Sequence, residues 1–461
     1  MTLTVKEYKE DLNYFFDKFF EVHVEPDFRV PMEELEKQKE YCLSMVESCS
    51  SIEEFHKIGQ QFLNIVGDGH TSLESPENDD IVKAPLILEL VDGAIVVKEK
   101  LEVDTPLDLS KVSIGDVLLF IDDQEVERRL NHILKLTSYN NHDWGKKWAL
   151  KKLFRYSKGE KTSVELVLAD NEGKIYSARI PLLNNATSDY YTEIRRKKWT
   201  RPVEVDYLED IKTGYLRYRA CKDKWHFEQA YDMYSDRLED MGVELEEIPD
   251  MEEVCWDFFK EMANRDYDNL IIDIRGNGGG DSRVATVLYK YLTTKKIKSY
   301  GGKNKVSLPV KETPPYADFF ADHEIGVIEE EFAYHEYPYT SRLTEEQLSS
   351  LNQFNGQVYI LVDNRVFSSG EYMVAELKAN DFGTLIGEPT GGGGTVPGNI
   401  MHITLPNTGL EFGISISMFE DPTDNDLPAI LPDYLIRQTL GDFQKGKDTV
   451  LDYVKKMIAD S

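Results

Sequence analysis

Cysteine is scarce in this chain: Cys42, Cys49, Cys221 and Cys255 are all there is among 461 residues. No CxxC pair and no Cys/His group at zinc spacing occurs, so the four read as free thiols in a reducing compartment. Long apolar runs are missing too. No stretch approaches the ~18 consecutive apolar residues of a membrane span, and MTLTVKEYKEDLNYFFDKFF has no basic region followed by an apolar core. A soluble protein is expected, cytoplasmic as the sequence stands and extracytoplasmic if a secretion signal has been removed. Basic charge is the third shortage. Lys and Arg number 53 against 84 Asp and Glu, a net charge of −31, which repels phosphate backbones and argues against a nucleic-acid partner. The ordinary reading of the acidic surplus is solubility. HExxH, G-x-S-x-G, G-x-G-x-x-G and P-loop patterns are all absent, so neither metal nor cofactor is expected.

What is present suffices to fold: 41% hydrophobic residues and 11% aromatics, in a chain long enough for two or three domains. Residues 1–78 read as helical. Leu12, Phe15, Phe16, Phe19 and Phe20 crowd one segment, and Phe55, Ile58, Phe62, Leu63 and Val66 recur at spacings of three and four. Gly67 ends that second helix and leads into the turn GDGHT. From about 84 the pattern becomes strand-like in PLILEL, GAIVVKEK, GDVLLFIDDQEV, SVELVLAD and IYSARIPLL. The Gly-Asp before a strand ending in Asp-Asp resembles a PDZ signature, and 80–190 is read as a PDZ-like domain. From 200 to 461 strands and helices alternate: YLRYR, helices at 226–241 and 251–264, NLIIDIR, VYILVD, a helix at 369–379, TLIGE. This predicts an α/β core with a buried, largely parallel sheet, carrying a surface insertion near 300–350.

Three local patterns can carry chemistry. DIRGNGGG (273–280) follows a buried strand. Its glycines suit a tight turn, or a set of backbone N–H donors for an oxyanion. In FSSGE (367–371), Ser368 and Glu371 match the capping box S-x-x-E, the ordinary role for such a serine. The same position, at a helix N-terminus, also suits a nucleophile. His70 in GDGHT is the one histidine of nine in a glycine-flanked turn.

Together and in this order, GDGHT, DIRGNGGG, SSGE, GEPTGG (387–392) and AILPD (429–433) resemble peptidase family S41, the tail-specific or C-terminal processing peptidases. The resemblance spans nearly the whole chain. It implies a ClpP/crotonase-like catalytic core with an N-terminal helical segment and a PDZ-like domain, and a peptide or protein as substrate. Many members use a Ser–Lys dyad with the lysine in G-E-P-T-x-G-K-G; here Gly393 takes the lysine's place. The tricorn-like branch uses a histidine from the N-terminal part instead, and His70 matches it.

The resemblance therefore implies Ser368 as nucleophile and His70 as base. Asp426 would orient the histidine, with Glu420, Asp421 and Asp424 as nearby alternatives, and the N–H groups of Ser369 and Gly279, or Gly280, would form the oxyanion hole. The PDZ-like domain is expected to project between base and nucleophile and to regulate access without touching the catalytic groups. The rival reading is a non-catalytic binder of hydrophobic ligands or peptides on the same core, like the interphotoreceptor retinoid-binding proteins. Oligomeric state is not legible.

Overall fold

The computed structural model describes residues 3–76, 81–100, 109–157, 159–183, 196, 199–229, 231–314, 316–330, 334–335, 341–351, 353–423, 425 and 427–460. Val5–Val22 opens on a capping box in which Thr4 Oγ1 accepts from Glu7 N–H and the Glu7 carboxylate accepts from Thr4 N–H. Ile52–Val66 starts at the Ser51 cap and ends at Gly67, whose φ of 71° is the left-handed C-terminal stop. The apolar stripes of the two helices meet. Phe62 packs edge-on against Phe15, Phe16 and Phe19, with ring centroids 6.0, 4.9 and 5.2 Å apart.

That helical layer is closed by the C-terminal half of the chain. Phe15 lies 4.3 Å from the ring of Phe412, and Met401, Ile414 and Ile416 complete the cluster. The strand Ser72–Leu73 makes the same link through hydrogen bonds. It pairs antiparallel with Glu411–Glu420 in a sheet that also holds Val396–Thr404, Gly301–Val306 and Gly326–Glu330. The stretch 300–350, read from the sequence as a surface insertion, thus begins with a paired strand of this sheet. Its backbone is glycine-rich there, since Gly302 lies against Met418 with no room for a Cβ, and this hides the strand pattern.

Residues 81–183 form a unit with its own core. Leu86–Val91, Ala94–Lys100, Val117–Ile121, Ser163–Ala169 and Ile175–Pro181 make an antiparallel sheet, covered by helices Val126–Leu134 and His142–Leu150. This arrangement is consistent with the PDZ-like reading.

The central sheet orders Val203–Leu208, Thr213–Tyr218, Asn269–Asp273, Gln357–Val362, Thr384–Gly387 and Tyr434–Leu435; the first pair is antiparallel and the rest are parallel. Both faces are buried, as the continuous apolar strands predict. Leu270, Ile272 and Ile360 face helices Met251–Asn264 and Ser369–Ala379, while Ile271, Tyr359 and Leu361 face Thr449–Ala459. The helix expected at 226–241 is present as Lys224–Gln229 and Tyr231–Asp240, with position 230 outside the described residues. All four cysteines are buried free thiols. Among the described residues no helix is long and apolar enough to cross a membrane, and no group of three His, Cys, Asp or Glu side chains is arranged to hold a metal ion.

Candidate active site

Two turns converge at one end of the central sheet. The first follows the strand Gln357–Val362 and carries Ser368, immediately before helix Ser369–Ala379. Ser368 adopts φ 57° and ψ −132°, a left-handed conformation that a non-glycine residue enters only at a cost of about 1–3 kcal/mol. Its side chain makes no cap hydrogen bond to the helix, so the capping role is not what this serine performs here. Glu371, the other half of the expected capping box, is fully buried and neither carboxyl oxygen has a partner. Burial, then the nearby Asp421 charge, push its pKa well above the usual carboxylate range, against the pull of the Ser368 backbone N–H.

The glycine turn after Asn269–Asp273 is seated against this serine. A Cβ on Gly279 would lie 2.7 Å from Ser368 Cβ and 2.9 Å from both Phe367 O and Ser369 N, at φ 92°, so only glycine allows the approach. Asn277 ties the two segments together. Its carbonyl accepts from Phe367 N–H at 3.0 Å, while its Oδ1 accepts from Gly279 N–H at 2.9 Å. Of the two glycine N–H groups expected to serve an oxyanion, that of Gly279 is therefore engaged. Gly280 is held by a bridge in which Cys221 N–H donates to Gly279 O and Asp281 N–H to Cys221 O. The Gly280 carbonyl accepts from Ser369 Oγ at 2.8 Å. Among the described residues neither Gly280 N–H nor Ser369 N–H donates to any acceptor.

The second turn carries His70, and Asp68 builds it. This carboxylate is fully buried and accepts from His70 N–H (2.8 Å), Ser415 Oγ (2.6 Å), Thr71 Oγ1 and His23 Nε2 (3.3 Å). Glu25 N–H donates to His23 Nδ1, which places the His23 proton on Nε2, facing Asp68. Burial alone would raise the Asp68 pKa; the His23 hydrogen bond, the neighbouring histidines and Ser415 outweigh it and hold the carboxyl well below the usual range.

The His70 ring is stacked on Phe367, the residue before Ser368, with centroids 4.6 Å apart and planes 24° from parallel. Phe367 stacks in turn on Trp144 at 4.3 Å. The ring Nδ1 is buried without a hydrogen-bond partner, and Asp68 Oδ1 lies 3.9 Å from it. Burial lowers the His70 pKa; the Asp68 charge and the Pro397 carbonyl oppose this in part. No hydrogen bond joins the His70 ring to the Ser368 hydroxyl in this state.

Sequence reading therefore places Ser368, Ser369, Gly279, Gly280 and His70 in one locality, and the structure brings these five together around Phe367. Asp426 and Asp424 lie outside the described residues. Asp421 instead binds Thr423 and the backbone of Gly394, beside Glu371. A side chain at Gly393, the place of the dyad lysine, would meet Ile430 N at 2.6 Å, so the backbone there leaves no room for one.

The inserted unit reaches the site, contrary to expectation. Ser138 Oγ donates to Asp68 O, Asn140 Oδ1 accepts from Gly69 N–H, and Trp144 backs the Phe367–His70 stack. From the same unit, Glu89 binds Arg365 at 2.9 Å, and Arg365 also pairs with Asp363, whose Oδ1 accepts from Gly276 N–H. None of these partners stands in a motif. The only sequence signal was Asp68 itself, the acidic residue of D-x-H.

The site is that of an α/β protein with a serine at a strand-to-helix turn and a largely buried histidine beside it. Residues 212–436 match the model of peptidase family S41, and this part of the chain belongs to that family. The fold is shared with mature CPAF complexed with lactacystin: TM-score 0.71, 16% identity, 99% of this chain and 98% of that one covered. Mature CPAF alone gives TM-score 0.71 at 15% identity over 99% and 97%. At these identities the likeness is one of fold. No curated protein sequence matches the chain. Family membership supports peptidase function.

Proposed function

We propose that the chain is a serine-type peptidase working by a Ser–His mechanism, with Ser368 as nucleophile and His70 as base. The observation that carries this reading is Ser368 itself, strained at φ 57° and with its hydroxyl free of the helix it precedes. Strained, unpaired polar groups at an element junction are the kind that functional sites retain.

His70, kept neutral by its buried setting, takes the hydroxyl proton as Ser368 attacks the peptide carbonyl, and then gives it to the leaving amine. The ring must swing from its stack on Phe367 to bond the hydroxyl, an adjustment that substrate binding completes. Ser369 N–H and Gly280 N–H stabilise the oxyanion, each worth about 3 kcal/mol. Gly279 supplies close contact to Ser368 instead of a donor, because its N–H is held by Asn277. Asp426, from its match to the family pattern, orients the imidazole. The unit at 80–190 presents a peptide to the cleft by strand addition.

The test is labelling with a fluorophosphonate, the adduct located by peptide mass spectrometry. We expect the adduct on Ser368, and Ser368→Ala to abolish both labelling and peptide hydrolysis, a loss on the order of 10⁶-fold in kcat. Thermal stability should hold, because alanine keeps the Cβ and with it the same backbone conformation. A wild-type chain that binds apolar ligands and neither labels nor cleaves peptides would replace this reading by the non-catalytic one.

A further inference from the structure

Asp68 does more than shape a turn. The buried Nδ1 of His70 has no hydrogen-bond partner, and the Asp68 carboxylate stands 3.9 Å away. That carboxylate is itself kept charged, since the four groups around it are all donors: His23 Nε2, Thr71 Oγ1, Ser415 Oγ and His70 N–H. A carboxylate bonded only to donors is strongly favoured in its ionised form. Arg29 adds positive charge from the segment after the first helix, while Ser138, Asn140 and Trp144 from the inserted unit and Phe367 from the serine turn bring none.

We infer that Asp68, held ionised by His23, Thr71 and Ser415, is a positioning residue that supplies the counter-charge to His70 when it takes up the serine proton. The inference rests on the proposed catalytic role of His70 and deepens it. It assigns to the D-x-H turn an electrostatic task that the family resemblance gives to Asp426. The Asp68 carboxylate fixes the histidine backbone through Oδ1, and the same oxygen faces the nitrogen left empty. An imidazolium formed there meets a negative charge already in place.

The experiment follows the His70 imidazole by NMR titration in the full chain without substrate, beside the pH profile of peptide hydrolysis. Asp68→Asn should lower the His70 midpoint by at least one pH unit, a tenfold change in proton affinity. It should also cut kcat at least tenfold, leave KM within twofold, and shift the acid limb in step with the midpoint. Ser415→Ala removes one donor from Asp68 and leaves its charge more available, so the His70 midpoint should rise. If Asp68→Asn does not fold, the Ser415→Ala shift decides, and an unmoved midpoint overturns the inference. It is also overturned if Asp68→Asn leaves the midpoint in place, or if Asp426→Asn moves it and Asp68→Asn does not. Because the titration needs no turnover, it can fail while fluorophosphonate still labels Ser368, or succeed in a chain that cleaves nothing.

Discussion

The turns that carry His70 and Ser368 are built in opposite ways. Around His70 the framework of the turn is tied down, and the ring Nδ1 is the group left without a partner. Asp68 has four donors, Ser138 caps its carbonyl, Asn140 takes the Gly69 N–H, and the strand Ser72–Leu73 locks the whole to Glu411–Glu420. Around Ser368 the polar groups are left open. The hydroxyl has no cap bond, the N–H groups of Ser369 and Gly280 lack acceptors among the described residues, and both Glu371 oxygens are unpartnered. Unmet hydrogen bonds in a buried setting cost about 1–3 kcal/mol each. The backbone and carboxylate of one turn are bonded throughout, whereas in its neighbour the donors themselves stand open. In the proposed mechanism the turn of the base is held in place and the attacking end is left open.

The strongest way to break this contrast is to fill the serine turn. Gly279→Ala places a methyl 2.7 Å from Ser368 Cβ at a φ of 92°. We expect kcat to fall by roughly 10²–10³-fold, comparable to losing an oxyanion donor. Stability should drop by about 1–3 kcal/mol, as measured by denaturant melts. Turnover within twofold of wild type would show that the close seat of the glycine turn on Ser368 is not needed.

A smaller effect should come from the side on which the two turns touch. Trp144 is 7% exposed, and its ring, Phe367 and His70 form one stack. Trp144→Ala removes the backing of the histidine from the inserted unit, and kcat should fall roughly tenfold through misplacement of the base. Trp144→Phe should recover most of it. An alanine variant with wild-type kcat would mean that the inserted unit touches the site without tuning it.

The sequence made some of this legible and left the rest dark for physical reasons. Local patterns suffice where a feature is local. The Gly67 stop, the apolar strand before FSSGE and the helix Ser369–Ala379 were all readable from neighbours in the chain. Family motifs brought Ser368 and His70 together although nearly three hundred positions separate them. What no pattern showed was partner choice across that distance. The Asn277 side chain takes the Gly279 N–H, Ser415 and His23 converge on Asp68, and Trp144 arrives from another unit. Each is set by three-dimensional packing of residues that look ordinary in their own segments. The capping box at Ser368 and Glu371 misled for the opposite reason: the local pattern was present, and the strained turn overrode it.

The smallest expected effect asks whether the openness of the serine helix ends after its first turn. One turn further on, Glu376 is as buried as Glu371 but fully partnered, accepting from Tyr289 OH at 2.6 Å and from Ser299 Oγ. Burial raises its pKa from 4.5 to about 7, against the pull of those two hydroxyls. Between pH 4.5 and 7 the folded chain keeps a proton that the unfolded chain has released, so the unfolded state binds fewer protons and stability falls as pH rises through that window. The full loss, on the order of 3 kcal/mol, is reached once pH exceeds 7. Glu376→Gln mimics the protonated acid in shape and cannot ionise. Its melting temperature should match wild type near pH 5 and exceed it by a few degrees at pH 8, with activity unchanged, because Glu376 bonds Tyr289 and Ser299 and neither belongs to the turns of the site. Parallel melting curves for the two proteins across that range would show that Glu376 does not titrate there.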